Sequence, residues 1–406
     1  YGISQNDDVC YKDDYNCSKT NQFRYLFYDV NPPEGFNLRR DVYMRFAALA
    51  HRMQKSKNPK INNFKLVLPP WSRLMHWSYN EIPEHIPWAL YFDLYSLKSF
   101  APVIEMHEFF TEYQAKYSEV VIEEVYTLQH FEDMFETGNF EDRFKIDQCR
   151  SDYAISFFHY ENITGRDFYC LSYHGPATKL EEIFLNTTAQ TILINHAEVA
   201  LHEFFGDKLY WQVRRSMRFN KELKKVAADF RETYLNSTDD ADNTVLPEKW
   251  VEEKPKRSAI GGPYLAVHLR RRDFVRSRPN DSPSLTDVAQ QIEKKLKELH
   301  LNTVFIATDG TEEEFDELSK ALRLYRVLRY VAPHSIKRKF KEGGVAILDQ
   351  IICSHARYFI GTHESTFSFR IQEEREIMGF APETTFNALC KNGNNCSKPS
   401  VWKIVY

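Results

Sequence analysis

At 406 residues, 43% hydrophobic and 15% aromatic, the chain is long enough for two domains with sizeable cores. Its 53 Lys and Arg stand against 57 Asp and Glu, a formal charge of −4 with a pI of about 6.4, which gives no support for a general nucleic-acid partner. No apolar run of about 18 residues exists, which argues against a transmembrane helix.

The first unit reads strand, loop, helix. Residues 23–30 have strand composition. Asn31-Pro32-Pro33-Glu34-Gly35-Phe36-Asn37 is a loop, and Val42, Phe46, Leu49, Ala50 and Met53 then recur at helical spacing. A strand is predicted at 64–68, stopped by Pro69-Pro70, and further strand-like segments at 102–106 and 124–128. One long amphipathic helix is predicted over 207–234, with Leu223, Val226, Phe230 and Tyr234 in one stripe. Residues 236–262 form a polar connector, and the domain boundary is placed inside it, giving 1–245 and 246–406. The connector holds Asp240-Ala241-Asp242. Asp-x-Asp can bind a metal–diphosphate, but here it follows a helix end rather than a strand and reads as a solvated turn.

The second half alternates regularly. Strand 264–269 leads to helix 284–300, where Ser284 and Asp287 suit a capping box. Strand 304–308 leads to helix 312–323, capped by Thr311 with Glu314. Strand 325–331 leads to helix 344–356, and strand 358–361 to helix 366–378. This alternation predicts an α/β fold, a parallel sheet with helices on both faces. No G-x-G-x-x-G follows its first strand, which argues against dinucleotide redox chemistry.

Three loops follow strand ends and can share one cleft: 31–37, 268–274 and 362–368. The second is the most informative, because Val267 to Phe274 ends a buried strand in His268, Arg270, Arg271, Arg272 and Asp273. A guanidinium fork there suits phosphate oxygens; a solvated basic loop is the plain alternative. Ser365 and Thr366 open a helix, where free backbone N–H groups bind phosphate, although either hydroxyl could simply cap the helix. Glu34 follows two prolines and precedes Gly35, a rigid setting that suits a general base; a surface glutamate in a turn is the alternative. Asp349 could accept from a purine or ribose, or lie solvated on its helix. Asp273 could touch ligand or pair with an arginine.

Seven cysteines favour an oxidising compartment. Six are close neighbours, Cys10 with Cys17, Cys149 with Cys170 and Cys390 with Cys396, although six cysteines allow 15 connectivities. Cys353, in an apolar helical run, reads as a free buried thiol. No C-x-x-C pair supports zinc. Glycosylation sequons at Asn16, Asn162, Asn186, Asn236, Asn280 and Asn395 favour the secretory pathway, with Asn162 and Asn236 expected on exposed turns. The chain starts at Tyr1, and a signal peptide is expected to have been removed. Its C-terminus is not a standard retention signal.

Longer motifs carry a resemblance. They are YDVNPPEGFNLRRDVY at 28–43, LVLPPW at 66–71, RRSM at 214–217 and LNSTDDAD at 235–242. GGPYLAVHLRRRDF at 261–274, VFIATD at 304–309, GGVAILDQIICSHARYFIGT at 343–362, STFSFRIQEERE at 365–376 and the closing WKIVY complete the set. With these the chain resembles the GDP-fucose protein O-fucosyltransferases, in the branch acting on thrombospondin type 1 repeats. The resemblance implies a GT-B architecture of two Rossmann-like domains facing across a cleft, with the last segment able to pack back on the first domain. It implies inverting transfer of fucose from GDP-fucose to a Ser or Thr hydroxyl of a folded repeat in the endoplasmic reticulum lumen, with no cofactor and no metal. Position by position, Glu34 matches the catalytic base and Arg270 the arginine on the donor phosphates. His268, Asp349, Ser365, Thr366 and Phe367 match nucleotide contacts. Pro33, Gly35 and Asn37 lie in the loop near the sugar, and Asp273 matches a position near the donor. Acceptor residues between 107 and 200 cannot be carried over. Transfer to EGF-like repeats or glycans, and a non-catalytic lumenal binding factor, are the rival readings.

Overall fold

Strands buried on both faces show continuous apolar runs rather than alternation. RYLFY and TILIN are such runs, and every residue of both is buried. A computed structural model describes residues 23–32, 34–72, 74, 84–114, 119–151, 155–279, 282–391 and 399–406. In it these runs pair in parallel as Arg24–Tyr28 (β1) and Thr191–Asn195 (β7), at the centre of a seven-stranded sheet. Phe64–Leu68 (β2), Val103–Glu105 (β3), Val120–Gln129 (β4), Arg143–Asp147 (β5) and Ile163–His174 (β6) complete it in the order β3-β2-β1-β7-β4-β6-β5. Only β5, at one edge, runs antiparallel, pairing with β6.

The second sheet has the order β10-β9-β8-β11 and is wholly parallel. Its strands are Gly262–Leu269 (β8), Thr303–Thr308 (β9), Arg326–Leu328 (β10) and Ala356–Ile360 (β11). Gly261, at φ +77°, leads into β8 where a Cβ would meet the Ala356 carbonyl oxygen at 2.5 Å, so the turn needs glycine.

Seven helices bear on the site: Phe36–Gln54 (α1), Lys208–Ser216 (α2), Lys221–Leu235 (α3), Leu285–Leu299 (α4), Glu312–Ala321 (α5), His334–Ser354 (α6) and Thr366–Met378 (α7). The expected capping boxes open α4 and α5. The single helix predicted over 207–234 is in fact α2 and α3. Phe219 leaves helical geometry to form an antiparallel bridge with Phe92, their rings 5.8 Å apart, and Asn220 starts α3 by accepting the Glu222 N–H at 2.8 Å. The helix predicted from 344 starts at His334 and bends at Lys341, φ 55°. The strand predicted over 325–331 shrinks to the three residues of β10.

The Asp-x-Asp segment is only half as expected. Thr238 caps a helical turn, Asp239–Asp242, in which Asp240 is exposed. Asp242 is buried rather than solvated, because its carboxylate accepts from Ser237 and its carbonyl from the N–H groups of Ile260 and Gly261.

The two halves interlock. α3 packs on α6, and its Phe230 meets Phe305 and Tyr330 of the second half. Trp402 of the closing segment touches Phe205 from the first half and Phe369 and Phe386 from the second. Cys149 and Cys170 form a disulfide, and Cys353 is free and buried. Cys390 is disulfide-bonded, while Cys10, Cys17 and Cys396 lie outside the described residues. Asn162, Asn186 and Asn236 are exposed, the first in a turn and the last as the left-handed cap of α3. Asn16, Asn280 and Asn395 lie outside the described residues. Among the described residues no helix is long and apolar enough to cross a membrane.

Candidate active site

Parallel sheets bind ligands beyond the C-terminal ends of their strands. The loop after β1 carries Glu34, half-buried, with its N–H donated to Asn31 O at 3.0 Å. Arg39 Nε donates to the Glu34 carbonyl at 3.0 Å. Burial and the nearby Glu198 carboxylate push the Glu34 pKa up, with Arg39 in partial opposition. The result is a carboxylate more basic than one in water. Pro33 lies outside the described residues. Gly35 stands at the N-cap of α1 in ordinary extended conformation, φ −79°, so its backbone there does not require glycine. Asn37, in the first turn of α1, accepts at Oδ1 from Gln350 Nε2 at 2.8 Å.

The loops after β8 and β11 are bonded to each other. Thr362 Oγ1 donates to the His268 carbonyl at 2.8 Å and accepts the Arg270 N–H at 3.0 Å. The buried His268 ring stacks on Phe367 at 4.3 Å and reaches Ser368 Oγ through Nδ1 at 2.8 Å. Burial, with Arg270 nearby, holds its pKa down to about 3, so the ring is neutral at physiological pH. The Arg270 guanidinium pairs with Asp309, just past β9, and with Asp273 Oδ1 at 2.6 Å. Of the two roles considered for Asp273, the structure shows the ion pair.

Ser365 is buried at the start of α7 and makes no side-chain capping bond. Its hydroxyl and the first N–H groups of α7 therefore offer donors beside the loop of Arg270. Asp349, on α6, keeps part of its surface in solvent, but its Oδ1 is shielded and has no hydrogen-bond partner among the described residues. Burial pushes its pKa up to about 8, weakly opposed by Arg329. It is not the solvated helical aspartate that was the plain alternative. A carboxyl in that state can donate or accept, which suits the polar edge of a base. Among the described residues no group of three or more acidic, His or Cys side chains could hold a metal.

Sequence reasoning passed over four contributors. Asp309 directly follows β9 and was open to the same strand-end logic as Arg270. Glu198 follows β7, a strand that was not recognised. Gln350 acts through Asn37, which only the fold brings near, whereas Arg39 acts through the Glu34 carbonyl five residues earlier.

Two α/β halves, each built on a largely parallel sheet covered by helices, form the architecture of a GT-B glycosyltransferase. The solved structure of POFUT1 in complex with GDP shares this fold, with a TM-score of 0.59 at 17% identity over 92% of this chain and 99% of that one. A profile of the GDP-fucose protein O-fucosyltransferases matches residues 25–378, and the chain belongs to that family. The human GDP-fucose protein O-fucosyltransferase 2 is 43% identical, covering 94% of this chain and 90% of that protein. The Drosophila melanogaster protein of the same name is 41% identical over 94% and 82%.

Proposed function

We propose that this fucosyltransferase acts on a Ser or Thr hydroxyl of folded thrombospondin type 1 repeats, with inversion at the sugar. The observation that carries the chemistry is Glu34: a half-buried carboxylate, made more basic by its surroundings, on a loop pinned from two sides. Glu34 takes the acceptor proton as the hydroxyl oxygen bonds to the anomeric carbon. It must come within about 2.6–3.2 Å of that oxygen, or one water away. The bond from the anomeric carbon to the diphosphate oxygen breaks on the opposite face, which gives inversion.

The leaving diphosphate takes both electrons of that bond. Arg270 and the N-terminal donors of α7 stabilise the charge, the task a divalent cation performs in other transferases. His268, Phe367 and Asp349 hold the nucleoside, and Gly35, Asn37 and Pro33 lie by the sugar. Asp273, paired with Arg270, lies beside the donor. In this reading the two sheets belong to Rossmann-like domains spanning 1–245 and 246–406. The Cys149–Cys170 bridge and the exposed sequon asparagines support a lumenal setting in the secretory pathway, the endoplasmic reticulum.

The test is incubation with GDP-fucose and chelator beside three acceptors: a folded thrombospondin repeat, its reduced form and a folded EGF-like repeat. A mass gain of one fucose on the folded thrombospondin repeat alone is expected. Transfer to the EGF-like repeat would move the acceptor class. Nucleotide binding with no transfer at all would favour a lumenal binding factor.

A further inference from the structure

The end of β7 carries a device that the transfer chemistry above leaves unassigned. His196 follows the strand in the left-handed region, φ 54° and ψ 43°, an uncommon state for a residue with a Cβ. Ala197 N–H donates to Asp29 O at 2.9 Å, which joins the end of β7 to the end of β1. This turn aims the Glu198 side chain at the base loop. Glu198 Oε2 accepts the Asn31 N–H at 3.1 Å, and Oε1 lies 3.4 Å from His196 Nδ1. The main-chain carbonyl of Glu198 is held by Arg45 Nη1 of α1 at 3.0 Å. Asn31 O in turn accepts the Glu34 N–H. Only the Asn31 residue therefore separates the Glu198 carboxylate from the Glu34 backbone. From the other side Arg39 takes the Glu34 carbonyl.

We infer that Glu198 is a positioning residue for fucosyl transfer: through Asn31 it fixes the loop, and with Arg39 it sets the field in which Glu34 works. This rests on Glu34 being the base. Burial alone would push the Glu198 proton affinity up, but the bonds from His196 and the Asn31 N–H outweigh it and hold its pKa low. The Glu198 carboxylate is thus ionised at neutral pH. Glu198 acts on Glu34 as a like charge and Arg39 as an opposite one. The other groups facing this cluster are Tyr28 and Asp29 at the end of β1, both pushed up by burial, Arg45 of α1, and His130 at the end of β4.

The opposed signs give a test that a purely structural role would not pass. Glu198→Gln keeps an oxygen for Asn31 but removes the charge, so the acid limb of kcat/KM should move to lower pH. Arg39→Gln removes the cation, so the limb should move to higher pH. Glu198→Ala loses the anchor as well, and kcat should fall by about tenfold to a hundredfold with GDP affinity unchanged. Acid limbs that stay in place in both charge variants would overturn the inference, and so would limbs that move the same way; these readouts stand even if the alanine variant fails to fold. Glu34→Gln assayed alongside separates the two levels. If it remains active, the base reading itself is wrong; if it is inactive while the limbs stay put, only the role of Glu198 fails.

Discussion

Gln350 and Asn37, 313 positions apart, meet side chain to side chain: Gln350 Nε2 donates to Asn37 Oδ1 at 2.8 Å. Arg40 Nη1 closes the triangle at 2.7 Å to Gln350 Oε1 and 3.3 Å to Asn37 Oδ1. Asn37 begins the helix that follows the base loop, and Gln350 adjoins Asp349. The triangle therefore ties the helix after the Glu34 loop to the helix that carries Asp349. Arg40 is fully buried among the rings of Phe36, Phe92 and Phe219, with its Nε and Nη2 unbonded among the described residues.

Gln350→Leu should be costly for this reason. It removes the bonds of Gln350 to Arg40 and Asn37 and leaves those two only their 3.3 Å contact with each other; an unsatisfied buried donor costs about 1–3 kcal/mol, more when charged. Urea unfolding should show that loss, and the KM for GDP-fucose should rise as Asn37 loosens. Unchanged unfolding together with an unchanged KM would show that the triangle is not a tie.

Glu34→Gln removes the proton acceptor and keeps the shape. kcat should fall by about 10²–10⁴-fold, the usual worth of a positioned base. GDP affinity by calorimetry should stay close to that of the parent. A base must be ionised, so parent activity should decline as pH falls through a pKa lying above the ordinary carboxylate range, because burial and Glu198 raise it. Retention of most turnover in the variant would remove Glu34 from the mechanism.

What the sequence disclosed about this site follows from where the signals sit. His268 and Arg270 were legible because they sit at the end of an apolar strand, and Ser365 to Phe367 because they come within a few residues of one, so one short window holds both the strand and its chemistry. Glu34 stood out by its prolines. Glu198 was hidden for two reasons: TILIN was not recognised as a strand, and its partner Asn31 lies 167 residues away. β6 was hidden because Gly165, Arg166 and Asp167 interrupt its first half, of which only Ile163 is buried. The break between α2 and α3 was marked by Asn220, a good N-cap, but the helical stripe on either side overrode that signal.

Arg270 should not be replaceable by lysine. Its fork is held by Asp309 on one side and by Asp273 at 2.6 Å on the other, which fixes the guanidinium plane. An ammonium is a point charge and cannot keep such contacts while facing phosphate oxygens in two directions. Arg270→Ala should lower kcat by about 10²–10³-fold and weaken donor binding, with Arg270→Lys recovering only part of the loss. Lysine kinetics equal to those of the parent would show that only the charge matters there.

With Asp349 at the nucleotide, as proposed, recognition would depend on pH. Its pKa in the folded chain is raised to about 8 by burial, against 3.8 for an ordinary aspartate. Between those values the folded chain holds a proton that the unfolded chain has released, so this group's effect on stability worsens as pH rises through the window from about 4 to about 8. Below the window both states are protonated and the effect vanishes. Asp349→Asn cannot titrate, so the variant should gain on the parent as pH is raised from about 5 to about 8, as read from urea midpoints. Parallel midpoints across that range would show that Asp349 is already ionised in the folded chain. Nucleotide binding supplies a second readout. If base N–H donors meet Asp349 they favour its charged form, so GDP binding near pH 7 should release protons, up to about one per site. Calorimetry in buffers of different ionisation enthalpy would detect that release in the parent and its loss in Asp349→Asn.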